Sequence, residues 1–160
     1  MATSLSERKK GFTIIEVCVV ILVLAILTGI AGEVVFNYQK GARDSERRAD
    51  VTVMSQAFEH YYRTQSVAIG VTYPPSTTPA ADLASIIQNQ DAVKAPDQSD
   101  SSLAIATNAS EQYPAINQYV YQPLNADDTL CSSAPCIKYK LYFRLEETDE
   151  VVVKDSMRQQ

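Results

Sequence analysis

From Phe12 to Ile30 a single residue, Glu16, carries charge, and apolar positions continue through Val34, Val35 and Phe36. About 20 consecutive apolar residues cross a bilayer as a helix, so the pattern predicts a transmembrane helix over 12–36. Beyond Phe36 the pattern turns amphipathic, and no proline interrupts it. Val51, Met54, Phe58, Tyr61 and Tyr62 recur at helical spacing and share one face. Arg43, Glu46, Arg47 and Asp50 fall on the polar side, and Asp44 is spaced to pair with Arg48 one turn on. The signs alternate along this run, which predicts a solvated face rather than a binding patch. One nearly continuous helix from Phe12 to about Arg63 is expected, with 37–63 as the half that covers a small domain.

The end of the chain has a different period. Ile137, Tyr139, Leu141, Phe143 and Leu145 alternate with Lys138, Lys140, Tyr142, Arg144 and Glu146, the period-two pattern of a half-buried strand. Thr148-Asp149 makes a turn, Val151 to Val153 return as a second strand, and Tyr119 to Leu124 supply an earlier one. The expected fold class is α+β: the long N-terminal helix packed on a small three-stranded antiparallel β-sheet within 119–160, whose apolar face needs the helix as a cover. Residues 64–118 are rich in Ser, Thr, Ala, Pro, Asn and Gln and long for a connection. They predict a variable surface loop region with one short helix at Ala80 to Gln90. Asn108-Ala109-Ser110 fits a glycosylation sequon, a three-residue match too common to carry weight.

The composition hides this segregation. The 160 residues are 46% hydrophobic and 21% charged, globular on average and about one domain's worth. Net charge is -5. Such a surface argues against nucleic-acid binding by the bulk of the molecule, which needs clustered Lys and Arg. No nucleophile–base set, phosphate loop or metal cluster is visible, and His60, the single histidine, has no catalytic companions. Neither an enzymatic activity nor a cofactor is therefore expected. Asp127, Asp128, Asp149, Glu150 and Asp155 match no defined calcium loop; exposed turns are the expectation, with calcium the alternative. Cys131 and Cys136, separated by Ser-Ser-Ala-Pro, are too few for a four-ligand zinc site. A short disulfide closing the loop before the second strand is expected, and it implies an extracytoplasmic setting.

Glu16 is the most informative position. A carboxylate in hydrocarbon costs at least a few kcal/mol unless paired, so an intramembrane acid is by default a functional hypothesis; the plainer reading puts it shallow, near the headgroups. Arg8, Lys9 and Lys10 precede the apolar run and predict an N-in, C-out single span in the cytoplasmic membrane. A cleaved secretory signal peptide is the competing reading, but the run is longer than the usual apolar core and holds a glutamate near its start.

The segment Lys10-Gly11-Phe12-Thr13-Ile14-Ile15-Glu16, leading into an apolar helix, resembles the cleavage and assembly signal of type IV prepilins and type II secretion pseudopilins. The resemblance implies that residues 1–11 are a cytoplasmic leader, that prepilin peptidase cuts between Gly11 and Phe12, and that the new amino group of Phe12 is methylated. It also implies that Glu16 pairs with the amino terminus of a neighbouring copy, with Thr13 as a helper or simply as the helix cap. The implied partners are further copies of the chain in a helical filament, the peptidase, an assembly platform protein and an assembly ATPase. The membrane holds the chain before assembly; the cell surface or an extracellular filament is its destination afterwards. The family alternative is a pseudopilin of a secretion or DNA-uptake system, and the alternative outside the family is a membrane-anchored binding domain. Many family members carry a proline about twenty residues into the helix; this chain has Gly29, Gly32 and Glu33 there instead.

Overall fold

A computed structural model describes residues 11–64 and 71–158, apart from the side chains of residues 30–34. The basic positions Arg8, Lys9 and Lys10 and the side chain of Glu33 lie outside the described residues. The chain divides into two compact units, Met1–Gln39 and Lys40–Gln160. Helix α1, Ile14–Thr64, is continuous and contributes to both.

In the first unit every described side chain from Phe12 to Gly29 is exposed. Because apolar residues occupy nearly every position from Phe12 to Gly29, these residues have no polar face to turn toward water. The expected span over 12–36 runs across residues 30–34, and among the described residues no helix is long and apolar enough to cross a membrane.

The second unit is built on the amphipathic half of α1. Val51, Met54, Phe58 and Tyr62 are buried there, as their spacing predicts, whereas Tyr61 is only half covered. Each fully buried side chain of this size contributes about 1.5–3 kcal/mol relative to exposure. Against this face lies a sheet of four strands, β1 (Leu103–Ile105), β2 (Tyr119–Leu124), β3 (Lys138–Arg144) and β4 (Val151–Asp155), in that order. The sheet is mixed: β2, β3 and β4 form the expected antiparallel meander, but β1 pairs in parallel with β2. The expectation of three antiparallel strands is thus corrected by a three-residue strand inside the Ser- and Asn-rich segment. Leu-Ala-Ile is too short to display an alternation, and its place is set by partners far along the chain. Tyr119 N–H donates to Ser102 O at 3.0 Å and Ala106 N–H to Tyr121 O at 2.9 Å. The short helix α2 runs Ala80–Ile86, followed by a 3-10 turn at Gln90–Val93.

All six positions of β2 are buried, so both faces of the sheet are covered at this strand, whereas β4 is partly exposed. On the outer face Val120, Tyr142 and Ala106 pack together. Gln122, 1% exposed, donates its amide to Asn108 O at 3.0 Å and Ser110 O at 2.7 Å and accepts from the Tyr142 hydroxyl at 3.0 Å. A buried amide needs such partners, because an unsatisfied one costs roughly 1–3 kcal/mol. On the inner face the tyrosines do two jobs. Phe58 stacks 4.6 Å from Tyr121, and Tyr73 meets Tyr139 edge-on at 4.8 Å. Their hydroxyls then reach polar groups: Tyr119 donates to Asp50 at 2.7 Å, Tyr73 to Glu59 at 2.8 Å and Tyr121 to Pro74 O at 2.9 Å, while Tyr139 bonds Ser55 at 2.9 Å.

Cys131 and Cys136 form the disulfide, both buried, with Cα atoms 5.7 Å apart. Their loop is fastened to the Tyr73-Pro74-Pro75 segment, through Tyr73 N–H to Cys136 O at 2.8 Å and Ser76 N–H to Cys131 O at 2.9 Å. Of the acidic residues near the sheet, Asp127, Asp128, Asp149 and Glu150 lie in the connections between strands, whereas Asp155 ends β4. Asp128 (φ 62°) and Asp149 (φ 61°) sit in left-handed conformations, which short polar side chains tolerate, and they pair with Lys138 and Arg144.

The charged run 43–50 departs from a solvated face. Asp44 and Arg47 are each 2% exposed, and Asp44 pairs with Arg47 at 2.7 Å instead of with the exposed Arg48. The cause is the β3–β4 turn, which lies over this part of the helix. Asp44 accepts the backbone N–H groups of Glu146 at 2.8 Å and Glu147 at 3.0 Å. Arg47 donates to Ile116 O at 3.0 Å, and Arg43 grips Glu146 at 2.7 Å. That hydrogen bond from Arg43 holds the Glu146 carboxyl below the usual carboxylate range.

Two predictions follow from these buried charges. Asp44→Ala removes the nearest carboxylate from buried Arg47, leaving it Glu146 at 3.5 Å, and strands two backbone donors, so it should cost about 3–5 kcal/mol in denaturant unfolding of the full chain; a loss under 1 kcal/mol would contradict the arrangement. The second concerns Asp50, whose carboxyl is lifted from 3.8 to about 6, chiefly by burial and against the lowering effect of the Tyr119 hydrogen bond. The folded state therefore holds this proton more tightly than the unfolded one. Asp50's contribution to stability is fully present below the unfolded value and is lost as pH rises through about 6. The stability difference between parent and Asp50→Asn should fall across that window and then level off; a flat difference would refute the shift.

Candidate functional site

The site expected from sequence is the start of α1. Thr13 fixes where the helix begins: its side-chain oxygen accepts Glu16 N–H at 3.3 Å, while its carbonyl accepts Glu16 N–H at 3.1 Å and Val17 N–H at 3.2 Å. A threonine at this position satisfies donors that the first turn leaves free, so the capping role open to Thr13 is the one observed. Gly11 and Phe12 precede the helix and are exposed, Phe12 to 83%. A β-carbon added at Gly11 would meet nothing within 4 Å. Packing within the described residues does not demand a glycine there.

Glu16 lies in the first turn of α1. It shares a shallow groove with Phe12, Val17, Val20 and Ile21, positions that helical spacing brings to one face. A negative charge is favoured near a helix N-terminus, but that end is the only favourable partner the described residues offer, since none makes an ion pair with Glu16. Phe12, Thr13 and Glu16 are therefore gathered within one turn, on a surface otherwise apolar. Cys131 and Cys136 belong to the other unit and take no part. Cys18, also in the apolar run, is free and exposed. His60 lines a groove between α1 and α2 with Val53, Ala57 and Ile86.

The residues missed from sequence are Asp44 and Arg47 with their partner Glu146. Nothing local marks them, because the groups that bury them stand about a hundred positions away. The only available sign was that Asp44 and Arg47 lie three apart, the spacing of a helical pair.

The family model for the prokaryotic N-terminal methylation motif matches residues 7–32. No curated protein and no solved structure matches the chain.

Proposed function

From a chain whose residues 7–32 carry the type IV pilin and pseudopilin signature, we propose a structural subunit of a type IV pilus-like filament, anchored in the membrane before assembly and polymerised through α1. The observation that carries this reading is a Glu16 carboxylate without an ion-pair partner among the described residues, in a segment whose described side chains are all exposed from Phe12 to Gly29. An apolar surface of that extent is stable only when lipid or other protein covers it. Cleavage between Gly11 and Phe12 by prepilin peptidase creates an ammonium group four residues from Glu16. Within one copy that amine precedes the helix whose first turn holds Glu16; between copies, the amine of one reaches the carboxylate of the next. Pairing two buried charges offsets their desolvation only when geometry is good, so the pair sets register between copies more than it adds stability. Methylation of Phe12 keeps the positive charge. An assembly platform protein and an ATPase complete the set of partners, and no catalytic role is assigned to the chain itself.

Mass spectrometry of mature protein should find an N-terminus at Phe12 heavier by one methyl group; a start at Met1 or near Glu33 would remove the reading. Glu16→Ala should cut filament yield by about tenfold or more, the scale of losing one partner of a buried charge pair, while leaving processed, folded monomer in the membrane. Parental filament yield from that variant would rule the acid out as the register device. Electron microscopy separates the two family readings: long fibres beyond the cell match a pilus, and short cell-confined ones a pseudopilus.

A further inference from the structure

We propose a second assembly contact, carried entirely by the unit Lys40–Gln160, in which the β3–β4 turn of one copy docks against the C-terminal end of α1 in another copy. The inference rests on the filament reading and adds the surfaces by which these units meet.

At one end of the unit, Glu147, Thr148, Asp149 and Glu150 are all exposed. Asp149 is engaged by Arg144, whereas Glu147 and Glu150 make no ion pair among the described residues. This turn is held rigidly. Buried Asp44 binds the N–H groups of Glu146 and Glu147, and Leu145 N–H donates to Glu150 O at 2.9 Å. The buried charges of α1 thus have a use beyond stability: they present two carboxylates in a fixed place.

At the other end, a groove of about 250 Å³ is lined by Gln56, Glu59, His60, Arg63 and Met157. Arg158 lies beside it, 4.3 Å over the Tyr62 ring, and Met157 is 60% exposed. Glu59 faces this groove too, but it is 3% exposed and already accepts the Tyr73 hydroxyl at 2.8 Å and Met157 N–H at 3.0 Å. Among the described residues Arg63 and Arg158 have no carboxylate partner. Two arginines beside an exposed methionine are suited to a carboxylate-bearing turn, because Arg can bind a carboxylate through two parallel hydrogen bonds.

The two surfaces are opposite in sign and separated along α1 by the distance from Asp44 to Arg63, roughly 30 Å at 1.5 Å per residue. A contact between unlike ends of identical molecules is heterologous and propagates into an open helical array instead of closing as a dimer. The N-terminal pair fixes one part of each copy; this contact fixes the other and sets its orientation, the property that complementary charge supplies best.

Charge reversal in the full chain tests it. Arg63→Glu with Arg158→Glu, and separately Glu147→Arg with Glu150→Arg, should each lower sheared-filament yield about tenfold, with processing at Phe12 and protease resistance of the monomer unchanged. Combining all four changes should restore most of the yield. Reversed pairs that assemble like the parent, or a combination as defective as either pair, would overturn the contact. A parent chain that forms no filaments at all would overturn the filament reading instead. Arg63→Cys with Glu150→Cys in one chain provides a readout independent of reversed charge: oxidised filaments should yield a ladder of covalent oligomers, and their absence also counts against the contact.

Discussion

Glu16 places a carboxylate on a helix that has nowhere to bury it. Every described side chain from Phe12 to Gly29 is exposed, and the acid has no ion-pair partner there. Apolar surface on this scale demands a cover, and a charge inside that cover demands a counter-charge. Neither demand is met among the described residues of the first unit. In the proposed reading, cleavage after Gly11 answers the second demand, since it makes an ammonium group at Phe12, next to the cap residue that starts the helix.

The second unit meets most of its demands internally; Arg144 Nε and Ser156 Oγ are the buried side-chain atoms left without a partner among the described residues. Its core is rich in tyrosine, and each buried hydroxyl on the inner face finds a partner, several of them on α1. Its buried ion pair, Asp44 with Arg47, is likewise saturated by backbone groups of the β3–β4 turn and by Ile116 O. Paired and hydrogen-bonded charges of this kind specify geometry more reliably than they add stability. The helix is therefore held at a defined register against the sheet, a requirement if the same helix is also to set the spacing of copies. The disulfide does comparable work within the loop before β3, closing it on itself, while backbone hydrogen bonds from Tyr73 and Ser76 fasten that loop to the segment that follows α1.

Much of this was legible in sequence. The long helix followed from its uninterrupted apolar and then amphipathic pattern, and β3 from strict alternation at Tyr139, Leu141 and Phe143. The cysteine spacing announced the disulfide. What was not legible came from distant partners. Leu103–Ile105 became a strand only because Tyr119 and Tyr121 offered an unpaired edge, and a three-residue strand leaves no period to detect. Asp44 and Arg47 looked like solvent-facing charges because alternating signs describe the helix alone, not the turn folded onto it. At the candidate site the cap by Thr13 was a local matter and was foreseeable. That no described residue packs against position 11 was not, because it depends on how the folded chain surrounds that position.

The central claim is that the amine released at Phe12 is the counter-charge for Glu16 of the next copy. Its most direct test is filament yield from Gly11→Leu, a change chosen to crowd the bond after residue 11 while the open surroundings of that position leave the fold undisturbed. The account predicts a membrane-held, full-length monomer and no filaments. Filaments built of subunits that still begin at Met1 would contradict it.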